Sequence, residues 1–232
     1  YPALGLDSLY HLIRPQLSCS RKRIHRLMNE MNISSTRRRA YKATTNSRHA
    51  HPIAPNLLAR RFSFDKPDTA WVGDITYIPT GAGWLYCAVV KDLCTKQIVG
   101  YAFSDRIDTN LTLAALGMAV RRRKPLPGLI FHSDRGSNYT SDEYAHALHE
   151  LGIRQSVGRT GICYDNALSE STNGALKVEL VNREQFPTRE IAQRKIANYI
   201  ELFYNRRSLH SGLGYNTPQE ILDLHNTPQE AA

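Results

Sequence analysis

Three carboxylates, Asp74, Asp134 and Glu170, have the residue type and placement to hold divalent cations. Asp74 interrupts the apolar and aromatic run Trp71-Val72-Gly73-Asp74-Ile75-Thr76-Tyr77, where a buried carboxylate is costly unless it is paired or bound to a metal. Asp134 follows the apolar segment 129–133, at the end of a strand where α/β sheets place ligands. Glu170 falls in the first turns of a helix that Asn166 begins. Each alone is ordinary: a strand-end Asp forms turns, and an early-helix Glu serves the dipole. Together they need a cation, because two such charges about 4 Å apart repel by roughly 4 kcal/mol at an effective dielectric near 20. Oxygen-only ligands with open positions suit Mg²⁺ or Mn²⁺, and two such ions serve in-line phosphoryl displacement.

Other chemistry is weaker. His146 and His149 have a spacing that could bind metal but no third ligand, and His132, two residues before Asp134, reads as core at least as readily as ligand. Cys19, Cys87, Cys94 and Cys163 form neither a CxxC pair nor a disulfide framework, which predicts reduced thiols in a cytosolic protein. His49 and His51 lack the paired cysteines of a zinc module. No run of about 18 apolar residues is present and no leader pattern opens the chain, so neither membrane nor export is expected.

The elements that must position the carboxylates follow from periodicity. Strands are predicted at 71–78, stopped by Pro79, and at 84–90, 97–103, 129–132 and 153–157. Helices are predicted at 110–122, 141–151, 166–181 and 189–204, and from the capping box Thr217-Pro218-Gln219-Glu220. The order βββαβαβα predicts an α/β fold with a mixed sheet flanked by helices. Upstream, 6–13 and Ser20–Met31 read as two short helices, the second presenting Arg21, Lys22, Arg23, His25 and Arg26; together they fit a helix-turn-helix-like unit. The net charge is +9, and all of the excess lies in residues 1–65, with twelve Lys/Arg against three Asp/Glu. A basic segment on a neutral core points to nucleic acid. The expected divisions are a DNA-binding segment at 1–35, a basic linker at 36–65, a core at 66–225 and a tail at 226–232. Asn-Thr-Pro-Gln-Glu occurs at 216–220 and again at 226–230.

The segments 71–77, His132-Ser133-Asp134-Arg135-Gly136-Ser137-Asn138-Tyr139-Thr140-Ser141 and Cys163-Tyr164-Asp165-Asn166-Ala167 resemble the catalytic core of transposases of the insertion-sequence-three family. That core is similar to retroviral integrases. Thirty-five residues separate Asp134 from Glu170, as in the family's DD(35)E spacing, and Lys177 occupies the family's basic position seven residues on. Tyr204-Asn205-Arg206-Arg207-Ser208-Leu209-His210 and the helix at Ser20–Met31 are similar as well. The resemblance implies a ribonuclease H-like fold and a second-frame product; with Tyr1 in place of Met, the N-terminal unit is expected to be incomplete.

It implies a DDE-type polynucleotidyl transferase: water frees a 3′-hydroxyl at an element end, and that hydroxyl attacks a second phosphodiester. Asp74 would bridge two Mg²⁺ or Mn²⁺ ions, Asp134 and Glu170 would complete one each, and no side chain would act as nucleophile. Lys177 would position DNA, with further contacts expected at Arg21, Lys22, Arg23, Asn138 and Tyr139. Partners would be element ends and target DNA, bound by a homo-oligomer at the bacterial nucleoid in the cytoplasm. Departures are Asn138, where Gln is usual, and Thr172-Asn173, where aromatic residues are common; both bear on local DNA contacts. The rivals are a metal nuclease of the same fold that cuts without joining, and a non-catalytic DNA-binding remnant of such an element.

Overall fold

The computed structural model describes residues 4–35, 54–59, 61, 63–158 and 173–227. Three antiparallel strands come first: β1 (Ala70–Thr80), β2 (Gly83–Asp92) and β3 (Ile98–Ser104). β4 (Ile130–Ser133) then pairs parallel to β1, and β5 (Arg154–Val157) parallel to β4, giving the order β3-β2-β1-β4-β5. The mixed sheet expected from the element order is therefore present. β1 runs two residues past the expected end at Ile78, and Pro79 pairs with Trp84 near the hairpin turn. The proline is tolerated there because β4 has already ended, so its missing N–H leaves no bond to that neighbour unfilled.

Alternation along β1 builds two cores. Trp71 points into a layer formed by α3 (Thr109–Arg123) and α5 (Asp142–Glu150), with Leu111, Ala115, Leu116, Ala119, Tyr144 and Leu148 around Phe131. Ile78 points the other way, into a layer formed by α6 and α7. α6 covers 173–181 and changes to π-helical winding at Lys177–Val181; α7 (Arg189–Asn198) ends in a second π segment, Tyr199–Tyr204. Helices on both faces of one sheet make a three-layer sandwich. α3 lies close on β3 because Gly100 has no side chain: a Cβ there would collide with the Ala115 carbonyl oxygen. Asp108, Ser141 and Thr188 cap α3, α5 and α7, and Thr217 with Glu220 forms the expected capping box of α8 (Pro218–Asn226). A short α4 (Ser137–Thr140), not expected from the sequence, leads into α5.

The N-terminal helices α1 (Leu6–Ile13) and α2 (Arg21–Glu30) are present, the second capped by Ser20. Arg21 pairs with Asp7 at 2.5 Å, and His11 stacks on Tyr215 with ring centroids 3.9 Å apart. Near the end of the basic segment, Leu58 is buried against Ala70, Val72, Leu93 and Ile130, an anchoring that the lack of periodicity there did not reveal. In the repeated pentapeptide, the first copy starts α8, while the second begins where α8 ends and runs beyond the described residues.

Candidate active site

Parallel pairing of β1 with β4 places the two aspartates. Val72 is the partner of His132, and continuing that register by two residues, one past the end of β4 at Ser133, brings Asp74 level with Asp134. Neighbouring strands lie about 4.8 Å apart. Two carboxylates at about 5 Å repel by roughly 3 kcal/mol at an effective dielectric near 20. Both are half-buried. Their convergence also registers on two tyrosines. Burial first, then Tyr86, Asp134 and Asp74 raise the Tyr77 phenol above its ordinary pKa. Burial first, then Tyr144, Asp74 and Asp134 hold the Tyr139 phenol well above it.

Local bonds fix each aspartate. The Ile75 N–H donates to Asp74 Oδ1 at 2.9 Å, and Asn173 Nδ2 donates to Asp74 Oδ2 at 2.7 Å. The Gly136 N–H donates to Asp134 Oδ1 at 2.9 Å, an Asx-type turn that carries the chain from β4 into α4. Gly73, facing away from Asp74, meets the opposite core: a Cβ there would lie 2.6 Å from Phe131 Cζ and 3.1 Å from Tyr139 Cε1. The strand that carries Asp74 is thus pressed against an aromatic cluster from behind.

Glu170 and the motif 163–167 lie outside the described residues. Among the described residues, no three His, Cys, Asp or Glu side chains come together as a metal site. Two observations fit the residues that are described to a hard cation: adjacent carboxylates supply only oxygen, and Asn173 Oδ1 is buried with no hydrogen-bond partner among the described residues. Lys177 is half-buried, at the residue where α6 leaves α-helical winding. π segments inside helices are frequent at functional sites.

The other expected contacts divide. Arg21, Lys22 and Arg23 are exposed on α2, and Asn138 is half-buried on α4, its carbonyl accepting from Thr112. Tyr139, expected among the DNA contacts, is 3% exposed and packed against Phe131 and Tyr144, a place in the core. His132 is core as expected, its Nδ1 2.8 Å from Ser156 Oγ. His146 and His149 lie on α5, where His146 pairs with Glu150 in solvent. Asn173 was not among the expected site residues. The signal was its position three residues after Glu170 in the sequence.

Comparison with known proteins bears on this geometry. The integrase core domain matches residues 65–163, and a second integrase core domain model matches 151–218. The uncharacterized 31 kDa protein of insertion element IS600 from Shigella sonnei is 45% identical over 206 residues, covering 89% of this chain and 76% of the relative. The transposase for insertion sequence element IS904 from Lactococcus lactis is 37% identical over 221 residues, covering 95% and 87%. Transposase InsF for insertion sequence IS3A from Escherichia coli is 42% identical over 173 residues, covering 75% and 60%. Among solved structures, a chain of the simian T-cell lymphotropic virus intasome in complex with PP2A regulatory subunit B56 gamma superposes with a TM-score of 0.59. That match covers 100% of this chain and 77% of the other at 17% identity, a likeness of fold alone. The sheet order, the flanking helices and these relatives agree: the chain belongs to the insertion-sequence-three family of DDE transposases and has their ribonuclease H-like integrase core.

Proposed function

We propose that this chain cuts and joins DNA by metal-dependent phosphoryl transfer at Asp74, Asp134 and Glu170, moving a bacterial insertion sequence. The observation that carries the reading is the β1–β4 register, whose continuation past Val72–His132 supports a convergence of Asp74 with Asp134. Asp74 and Asp134 would hold Mg²⁺ or Mn²⁺ with Glu170, two ions in all. When bound, the ions supply an activated water and stabilise the oxygens of an in-line displacement. The chain's own part is geometric. The Ile75 and Gly136 N–H groups and the Asn173 amide keep both carboxylates from rotating, so reactants meet a prearranged site. Lys177 would steady a phosphate beside the site, and Asn138 would lie along the DNA path. Arg21, Lys22 and Arg23 on the exposed side of α2 would grip the backbone of element ends, with a homo-oligomer bringing two ends together. Among the described residues no helix is long and apolar enough to cross a membrane; the reading assigns the chain to the bacterial cytoplasm, at the nucleoid.

The test is cleavage and joining of DNA carrying the element's ends, with Mg²⁺ or Mn²⁺, by the wild type and Asp134→Asn. The wild type is expected to do both and the variant neither, with unfolding temperature and DNA affinity retained. Equal behaviour of the two proteins refutes the catalytic reading. Binding without cleavage by the wild type leaves the remnant, and cutting without joining leaves a nuclease.

A further inference from the structure

We propose that Asn173 is a positioning residue for Asp74, holding that carboxylate in the orientation in which it converges with Asp134 on a divalent ion. The inference rests on the reading of Asp74 as a metal ligand. Asn173 Nδ2 donates to Asp74 Oδ2 at 2.7 Å while the Ile75 N–H holds Oδ1 at 2.9 Å, so the carboxylate is gripped at both oxygens. One donor comes from its own strand and the other from α6, which ties the strand to a helix whose first described residue follows Glu170 by three in the sequence.

Burial makes this more than a surface contact. Asn173 is 7% exposed, and its Oδ1 has no hydrogen-bond partner among the described residues. A side chain chosen only for packing would carry no such acceptor. A hydrated cation beside Asp74 would supply a donor to that acceptor. The neutrality of the amide matters too. A lysine or arginine here would neutralise Asp74 and compete with a cation, while an aspartate would add repulsion beside Asp134. An amide orients the carboxylate and leaves the site's charge unchanged. This is how groups behind a metal ligand act, through ligand geometry rather than contact with substrate.

The experiment is Mn²⁺ titration of the full chain, followed by the electron paramagnetic resonance signal of free ion, for wild type, Asn173→Leu, Asn173→Ala, Asn173→Gln and Asp74→Asn. The half-saturating Mn²⁺ for strand transfer is measured in parallel. Losing the donor is expected to weaken Mn²⁺ binding by about 10- to 100-fold. The half-saturating concentration rises with it, more than the rate at saturating Mn²⁺ falls, and the Gln variant recovers part of the affinity. A merely structural role would lower the unfolding temperature and leave the Mn²⁺ affinity of the folded fraction untouched. Should the Leu variant fail to fold, the Ala variant decides. Wild-type affinity in the Leu and Ala variants, with loss in Asp74→Asn, overturns the inference and spares the metal reading. Unchanged affinity in Asp74→Asn overturns both.

Discussion

Replacing Gly73 with alanine tests whether the strand behind Asp74 is held by the aromatic cluster. The new Cβ would stand 2.6 Å from Phe131 Cζ, 3.0 Å from Phe131 Cε1 and 3.1 Å from Tyr139 Cε1. Carbon atoms rest at about 3.5–4.0 Å, so roughly 1 Å must be found. Phe131 cannot easily yield, since it is buried against Tyr139 and Tyr144 with centroids 6.1 and 5.6 Å away. Overpacking of this kind costs about 1–3 kcal/mol. In a domain of this size each kcal/mol lowers the unfolding temperature by about 2–4 °C, so a fall of several degrees is expected. The larger effect should be on activity. What Phe131 does not yield, β1 must, by moving away from it; this carries Asp74 out of line with Asp134, and a displacement near 1 Å costs on the order of 100-fold in rate. The assay is thermal unfolding plus strand transfer for Gly73→Ala, Phe131→Leu and the pair. Leucine lacks the ring tip that Cβ meets, so the double variant should lose less than the two single losses added together. Strictly additive losses, or a Gly73→Ala protein indistinguishable from wild type, would refute the reasoning.

Other parts of the molecule carry expectations of their own. Burial pushes the Lys91 ammonium down to about 7 from 10.5, the nearby Lys96 pushing the same way and Asp92 opposing. A lysine whose folded pKa is depressed destabilises the fold most below about pH 7, and the cost is relieved as pH rises toward 10.5. Lys91→Met should therefore raise stability in denaturant unfolding at pH 7, and the gain should shrink by pH 9; an equal gain at both pH values contradicts it. Asn205→Ala should cost about 2–4 kcal/mol in the same measurement, because it strands two buried backbone groups of Ile98 that the side chain now pairs at 2.9 and 3.0 Å. For DNA, binding measured between 50 and 200 mM salt should show a steep slope that flattens when Arg21, Lys22 and Arg23 are changed to alanine, by close to one unit for each phosphate no longer neutralised. An unchanged slope would remove α2 from the interface.

What could be read in the sequence was whatever is decided locally. Asp74 stood out because an acidic residue interrupts an apolar run, and the capping residues Ser20, Asp108 and Thr217 each sit directly before their helices. The 35-residue spacing and the resemblance it supports led to the family. What could not be read depends on contacts distant along the chain. The Val72–His132 register joins residues 60 apart, and the Asn173–Asp74 bond spans 99. Tyr139 looked like a surface tyrosine in a polar motif because the motif gives no hint of Phe131 and Tyr144 closing over it. Leu58 belongs to the core although its neighbours carry the basic, aperiodic look of a linker. The π winding at Lys177 is likewise invisible, since Leu176 to Val181 reads as ordinary helix.

The side-chain amide of Asn205 pairs with both backbone groups of Ile98 at the start of β3, and β3 is an outer strand of the sheet. An outer strand with open peptide groups is a template on which another chain can add itself. Asn205 covers that edge at one residue, and its own carbonyl accepts from Gln219 at the first turn of α8, so the cover is fastened by the last helix. The C-terminal helix thus helps to close one position of that edge as well as contributing packing. A chain shortened before Asn205 is expected to self-associate through β3 more readily than the full chain, and light scattering that finds the two alike would rule this out.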